Sequence, residues 1–359
     1  MARLVRYQPD YLVKPGDVLE EYLAVTGMSK AELASRCGRP TKTISEIIHG
    51  KAAITPETAI QLGRVFGRPA SLWQNLEANY RLRLAERNEQ SDLAQHAAWA
   101  KKFPVKAMVE VGCLEEPRDD ADLVTKLLRF FGVGSVAGWE SSFGELGVAF
   151  RRSPSFKAAP EAVSAWLRRG ELEASEIDCQ RYDKQKFRAC LSEARALTTE
   201  SFPDIVEQLR SLCASAGVAL VFIPELPKTH LSGAARWLTK DKALIQLSLR
   251  HKTNDHVWFS FFHEAGHILL HGKKTIFIDE NGGDRSDVEN EANEFAGSLL
   301  IPEAPYREFA AALPISAAAV KRFARQMGIA PGIVVGRLQH DQVIPHSHLN
   351  GLKESLTWA

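Results

Sequence analysis

The chain has 359 residues, of which a quarter are charged, and its 45 lysines and arginines nearly balance its 44 aspartates and glutamates. This composition is ordinary for globular proteins, and the length suits two or three domains. The N-terminus lacks the apolar core of a signal peptide and no apolar run has the length of a membrane span, so we expect a cytoplasmic protein with no membrane partner. The five scattered cysteines lack metal-type spacing, which favours free thiols over a disulfide framework.

Four short helices are predicted in the first seventy residues. The first ends at Gly27, and the capping box Ser29–Glu32 opens the second, which stops at Gly38. The third begins near Thr41, and Thr55 is the predicted N-cap of the fourth. A helix, a tight glycine turn and a second helix form the organisation of a helix-turn-helix DNA reader.

The third helix is the predicted recognition helix, with its isoleucines facing inward. Base edges would be contacted by its N-terminal polar residues, Thr41, Lys42, Thr43 and Ser45. Phosphates would be contacted by Arg39, Lys51 and the helix N-terminus at Ser29. Residues 1–90 hold thirteen basic and ten acidic residues, a modest excess that favours a homodimer on double-stranded DNA. The alternative is a helical interaction module that binds no nucleic acid.

Residues 12 to 85 resemble the HigA-like antitoxins of the Xre helix-turn-helix class. The resemblance is carried by Pro15–Leu23, Ser29–Ala34, Thr43–Lys51, Ile54–Ala59 and Leu72–Tyr80. It implies a lambda-repressor-like fold and repression from the protein's own operator. Such antitoxins often neutralise a toxin, which would then be a partner. Arg39-Pro40 departs from the apolar residue and serine cap of many members.

Apolar spacing predicts a helical connector after this region, with helices at 121–131, 160–169, 183–198 and 203–216. A boundary is predicted within 151–157. Farther along, 218–224 reads as a strand, and 231–238 pairs with 243–249 as a hairpin.

The segment His263-Glu-Ala-Gly-His267 carries the strongest chemical signal. Two histidines four residues apart on a helix lie on one face, so both imidazoles can bind a single Zn²⁺. Glu264 between them is the predicted general base for a water molecule at the metal. Glu289, in a second predicted helix over 287–300, supplies a third ligand and leaves the open position that a catalytic zinc needs.

Neighbouring polar residues are assigned from the same helical spacing. Asn293 lies one turn after Glu289 and is predicted to orient a ligating histidine. His271 is predicted to support a ligating histidine from outside the ligand set or to lie at the rim of the site, with a fourth-ligand role as the alternative. Glu294 is an alternative to Glu289 as ligand, and Glu291 is expected to face solvent. Ordinary half-buried histidines at 263 and 267 are the remaining alternative.

Residues 259–271 and 289–302 resemble the ImmA/IrrE family of zinc metallopeptidases, over about residues 200 to 305. The resemblance implies an α+β, thermolysin-like (gluzincin) minimal metallopeptidase domain. It carries over His263, His267 and Glu289 as zinc ligands and Glu264 as the base. An edge strand beside the active helix would hold an extended peptide substrate.

The predicted fold is therefore mainly α with a small β-sheet. A helix-turn-helix domain spans 1–95, a helical connector 96–200, the metallopeptidase domain 201–305 and a C-terminal helical region 306–359. The last region reads as a helical hairpin packed on the peptidase, or as a degenerate helix-turn-helix. The predicted function is an antitoxin-like, DNA-binding repressor whose zinc endopeptidase domain cleaves a repressor or partner protein. The alternative is a repressor with a structural, sensory or latent metal site and no proteolysis.

Overall fold

The computed structural model describes residues 12–143, 159–272, 277–280, 287–312 and 314–357. The chain divides into two compact units, Met1–Ala97 and Ala98–Ala359. The described residues are mostly helical with one small sheet, which confirms the predicted fold class. The boundary predicted within 151–157 lies outside these residues. None of the described helices combines the length and apolarity needed to cross a membrane.

The first unit is built from five helices in its described part: α1 Pro15–Thr26, α2 Lys30–Cys37, α3 Thr41–Ile48, α4 Pro56–Phe66 and α5 Ala70–Ala94. Gly27 and Gly38 end the first two in the left-handed conformation that glycine adopts without strain. Ser29 Oγ accepts the N–H of Glu32, as the predicted cap requires. The Glu32 carboxylate accepts a hydrogen bond from Arg36. The serine contact of the predicted capping box is therefore present, and the glutamate side chain is engaged by Arg36.

The core of the first unit surrounds Trp73, which is fully buried and contacts the rings of Tyr22 and Phe66. The predicted inward face of α3 is confirmed, because Ile44, Ile47 and Ile48 are all buried. Burial of this face holds α3 in place and leaves its other side to solvent.

From Ala97 onward the described helices are α6 Ala97–Ala100, α7 Val105–Glu110, α8 Asp120–Phe131, α9 Pro160–Glu176, α10 Lys184–Ala196, α11 Phe202–Ser215, α12 Asn254–Leu270, α13 Asp287–Leu300, α14 Glu303–Ala311, α15 Ala317–Met327 and α16 Pro331–His340. The strands are β1 Val218–Phe222, β2 Leu231–Thr239, β3 Lys242–Leu247 and β4 Phe277–Glu280.

The sheet has the strand order β1-β3-β2-β4. The predicted hairpin is confirmed, since β2 pairs antiparallel with β3. β1 joins β3 in parallel, and β4 pairs antiparallel with β2. Both hairpin strands are therefore interior, and among the described strands β1 and β4 form the edges.

The helix α12 lies at the centre of the second unit and packs against β2, β3, α13 and α16. Its aromatic residues Trp258, Phe261 and Phe262 are buried in the core. Gly266 lets α13 approach closely, because a Cβ there would lie 3.3 Å from the Cα of Ala292 and 3.1 Å from the ring of Phe295. This close pairing sets the distance between the two helices that carry the metal-type residues.

The C-terminal helices pack on the start of α12. Gly332 and Gly336 of α16 lie against the side chains of Asn254 and Asp255. Lys353 forms a buried ion pair with Asp255 at 2.7 Å, and Asn254 Oδ1 accepts the N–H of Glu354. The C-terminal region thus makes the helical hairpin of the sequence analysis and fastens the N-terminus of α12.

Candidate metal centre and helix-turn-helix surface

The helices α12 and α13 bring three potential ligands together. The Nε2 atoms of His263 and His267 are 3.0 Å apart. The carboxylate of Glu289 lies 3.2 Å from His263 Nε2 and 3.5 Å from His267 Nε2. Within the described residues, this is the group whose ligand atoms all lie within 4.8 Å of one another.

These distances fit a zinc ion. Ligand atoms about 2.0–2.1 Å from a tetrahedral Zn²⁺ lie roughly 3.3 Å from each other, and the observed separations of 3.0 to 3.5 Å bracket that value. Two imidazoles and a carboxylate are also a donor set that zinc accepts. Three such ligands leave one position open for a reacting molecule.

The electrostatics of the three groups suit metal binding. Burial lowers the pKa of His267, although the neighbouring Glu289 carboxylate opposes this shift. Burial by itself would raise the pKa of Glu289, but the neighbouring His263 and His267 bring it down to about 2. At neutral pH a neutral His267 imidazole therefore faces an ionised carboxylate, which is the protonation state that a metal requires.

Each histidine has an orienting partner on its other ring nitrogen. His263 Nδ1–H donates to Asn293 Oδ1 at 3.0 Å, which leaves the Nε2 lone pair for a metal. His267 Nδ1 lies 3.0 Å from His271 Nδ1. Asn293 and His271 thus contact the two histidines from outside the three-ligand group.

His271 and Glu294 are the alternative ligands considered from the sequence. His271 and Glu294 both lie outside the converging group, and Glu294 is exposed. Glu291 is exposed to solvent, as expected, and its carboxylate also lies 3.2 Å from His271 Nε2. Helical spacing predicts the face of α13 on which Glu291 lies. It does not predict the contact with His271, which follows the end of α12.

Glu264 is completely buried beside a glycine that the sequence analysis did not single out. A Cβ on Gly233 of β2 would lie 2.5 Å from Glu264 Oε1 and 2.9 Å from its Cγ. Only a residue without a side chain leaves room for the carboxylate at this point. The available signal was a glycine in the interior of a predicted strand, which often marks such a close approach.

The predicted recognition helix presents a mixed surface. Thr41 and Lys42 are exposed, while Thr43 and Ser45 are half-buried. The ammonium of Lys42 is 3.8 Å from Glu46 and its side chain is 84% exposed, so this pair restrains it weakly. These side chains lie on the solvent side of α3, opposite its buried isoleucines.

The residues predicted to contact phosphates differ in whether their side chains are already engaged by other residues of the protein. Lys51 is exposed, on the turn that follows α3. Arg39 Nε donates to Gln61 Oε1 at 2.9 Å, so its guanidinium is held against α4. The Ser29 Oγ is engaged as the cap of α2. Arg81, paired with Glu77 at 2.7 Å, also reaches the carbonyl of Gly50, next to Lys51.

Comparisons with known families cover both regions. Residues 215–339 match the model of the IrrE N-terminal-like domain, and residues 26–73 match the helix-turn-helix model. The first range contains His263, Glu264, His267 and Glu289. It also extends through α15 and nearly to the end of α16.

Two curated relatives are similar to part of the chain. Virulence-associated protein I of Dichelobacter nodosus is 39% identical over 80 residues, which cover 22% of this chain and 74% of that protein. The uncharacterized HTH-type transcriptional regulator YddM of Escherichia coli (strain K12) is 38% identical over 74 residues, which cover 21% and 79%.

Solved structures give similar coverage. The Pseudomonas aeruginosa antitoxin HigA with the higBA promoter is 30% identical and matches 23% of this chain and 90% of that chain, with a TM-score of 0.22. A second Pseudomonas aeruginosa protein, PA4674 in complex with its operator DNA, is 33% identical and matches 21% and 82%, with a TM-score of 0.21.

Proposed function

We propose that this chain is an antitoxin-like, DNA-binding repressor with a zinc-dependent endopeptidase centre. It belongs to the helix-turn-helix regulators through its N-terminal unit, and its C-terminal unit carries an IrrE N-terminal-like domain. The observation that carries the proposal is the convergence of His263, His267 and Glu289 next to the buried Glu264. A purely structural zinc site would have no use for that glutamate.

The residues of the centre divide the work. His263, His267 and Glu289 would hold Zn²⁺, which when bound supplies Lewis-acid chemistry for peptide hydrolysis. The Glu264 carboxylate takes the proton of the attacking water and passes it to the leaving amine. Asn293 and His271 hold the two imidazoles in orientation.

The proposed partners follow from the two units. The helix-turn-helix unit would bind the operator of its own promoter as a homodimer, with Thr41, Lys42, Thr43 and Ser45 toward the bases. The peptidase unit would cleave a repressor or partner protein. A toxin is the further proposed partner, by similarity to HigA-like antitoxins.

A second function is favoured by one observation. His263, Glu264 and His267 are all essentially inaccessible to solvent, as expected of a metal site that is structural, sensory or latent. In that case the protein represses without proteolysis, and Glu264 handles no proton. The two functions differ in what the Glu264 variant does.

Purified protein should contain about one zinc ion per chain, because the three converging donors make a single site. His263→Ala should lose the ion, since two ligands and an open site retain zinc poorly. Metal analysis after dialysis measures this. His340→Ala, which removes an exposed histidine of α16, is the control. Full zinc content in His263→Ala would contradict the assigned ligands.

Replacement of Lys42 and of Lys51, both in the helix-turn-helix unit, should affect DNA binding in different ways. Lys42→Ala should weaken binding to the protein's own promoter by about 1–3 kcal/mol and change the sequence preference, as loss of a base contact does. Lys51→Ala should weaken binding to all sequences alike and reduce the salt slope by about 1, as loss of a phosphate contact does. Fluorescence anisotropy with promoter and scrambled duplexes at several salt concentrations measures both effects.

Lys106→Ala is the matched control for Lys42→Ala. Both lysines are largely exposed and lie 3.8 to 3.9 Å from a glutamate four residues later, but Lys106 lies outside the helix-turn-helix unit. Its removal should leave DNA binding unchanged. Equal, sequence-blind losses in Lys42→Ala and Lys51→Ala would mean that α3 does not enter the groove as proposed.

A further inference from the structure

The contacts of the ligand His267 continue outward through His271 to Glu291. His267 Nδ1 is 3.0 Å from His271 Nδ1, and His271 Nε2 is 3.2 Å from Glu291 Oε2. A glutamate carboxylate accepts hydrogen bonds, so His271 Nε2 carries the hydrogen and donates to it. In that tautomer the lone pair of His271 lies on Nδ1, so this atom accepts the Nδ1–H of His267.

This chain of donors determines the tautomer of His267. With its hydrogen on Nδ1, the ring keeps a lone pair on Nε2, the atom that faces Glu289 and His263. We propose that Glu291 and His271 form a positioning relay that holds His267 in the metal-binding tautomer. The proposal rests on the proposed zinc centre and assigns a role to Glu291, which lies outside the ligand set and outside the proposed reaction.

The relay gives the two histidine ligands different supports. His263 donates to the neutral amide of Asn293. His267 donates to an imidazole that in turn donates to a carboxylate, an arrangement that increases the electron density on the ligating nitrogen. Glu289, Glu291 and Asn293 all lie within the first half of α13, so one helix provides a ligand and both supports.

The burial of the His271 and Glu291 side chains indicates how much each contributes to the relay. The His271 side chain is almost buried, whereas that of Glu291 is 62% exposed. Solvent screens a carboxylate at such a position. The contribution of Glu291 should therefore be smaller than that of His271, which contacts the ligand directly.

The zinc affinity of the full chain, measured by competition with a chromophoric chelator, tests the relay. Loss of an orienting partner lowers metal affinity by about 10- to 100-fold. We expect about a tenfold loss in Glu291→Ala and a loss nearer 100-fold in His271→Ala. Glu294→Ala, which removes an exposed carboxylate from the same helix, should change nothing, and melting curves of the metal-free variants check that each is folded.

Two further variants separate a relay from a structural effect. In His271→Ala, the added Glu291→Ala change should cause no further loss, because Glu291 acts only through His271. His271→Asn should retain more affinity than His271→Ala, since its Oδ1 can replace Nδ1 as the acceptor. Independent losses at 271 and 291, or an equal loss in Glu294→Ala, would overturn the relay.

The same titration distinguishes failure of the relay from failure of the metal centre. If the wild type binds zinc and Glu291→Ala binds it equally well, the relay alone is wrong. If the wild type holds no zinc, the proposed metal centre and the relay are both wrong.

Discussion

Glu264→Gln should retain the full zinc content and lose about 10²- to 10⁴-fold in peptidase activity, the range that a positioned general base contributes. The amide has the shape of the carboxylate, so it fits the space that Gly233 leaves, but it cannot accept the proton of the attacking water. Metal analysis and cleavage of candidate partner proteins, followed by mass spectrometry, measure the two quantities on one sample.

The same variant separates the two functions in cells. With a promoter reporter, Glu264→Gln should repress like the wild type and fail to release repression when the natural signal arrives. Glu294→Gln makes the same chemical change at an exposed position of α13 and should behave like the wild type in both tests. Normal release in Glu264→Gln would rule out the peptidase function and favour the structural or sensory site.

Lys353→Ala should lower the free energy of unfolding of the C-terminal unit by about 3–5 kcal/mol, because it leaves the buried carboxylate of Asp255 without its cation. The side chains of Lys353 and Asp255 are only 10% and 5% exposed, and their ion pair is 2.7 Å long. Asp255 lies in the first turn of α12, so the lost stability should affect the helix that carries His263.

Urea unfolding followed by tryptophan fluorescence measures this loss. Lys321→Ala removes an exposed lysine from α15 and should change the free energy of unfolding by less than about 0.5 kcal/mol. A loss below about 1 kcal/mol in Lys353→Ala would mean that this pair behaves like a surface ion pair.

The local elements could be predicted because their signals are local. The left-handed glycines 27 and 38, the caps at Ser29 and Thr55, and the isoleucines of α3 each act within a few residues of the chain. The three potential ligands that converge in the structure were also chosen from spacing along two helices. The hairpin of β2 and β3 followed from two apolar runs joined by a short turn.

Contacts between distant segments could not be predicted in the same way. No local pattern states that β1 lies beside β3, or that Glu264 packs against Gly233, thirty-one residues earlier. Helical periodicity gave Glu291 the correct face of α13 but contained no information on His271. Its role depends on where the end of α12 lies in space.

The close pairing of α12 and α13 at Gly266 would determine how the proposed centre responds to force or ligand. Because Glu289, Glu291 and Asn293 share one rigid helix, a slide of α13 by a single residue, about 1.5 Å, would withdraw a ligand and both supports together. If the centre holds zinc as proposed, zinc loading and helix pairing would be coupled in the thermodynamic sense: whatever separates the helices would release the ion, and the ion would resist their separation to the same extent. A partner protein that pulls on α13 would control the chemistry of this centre without touching either histidine.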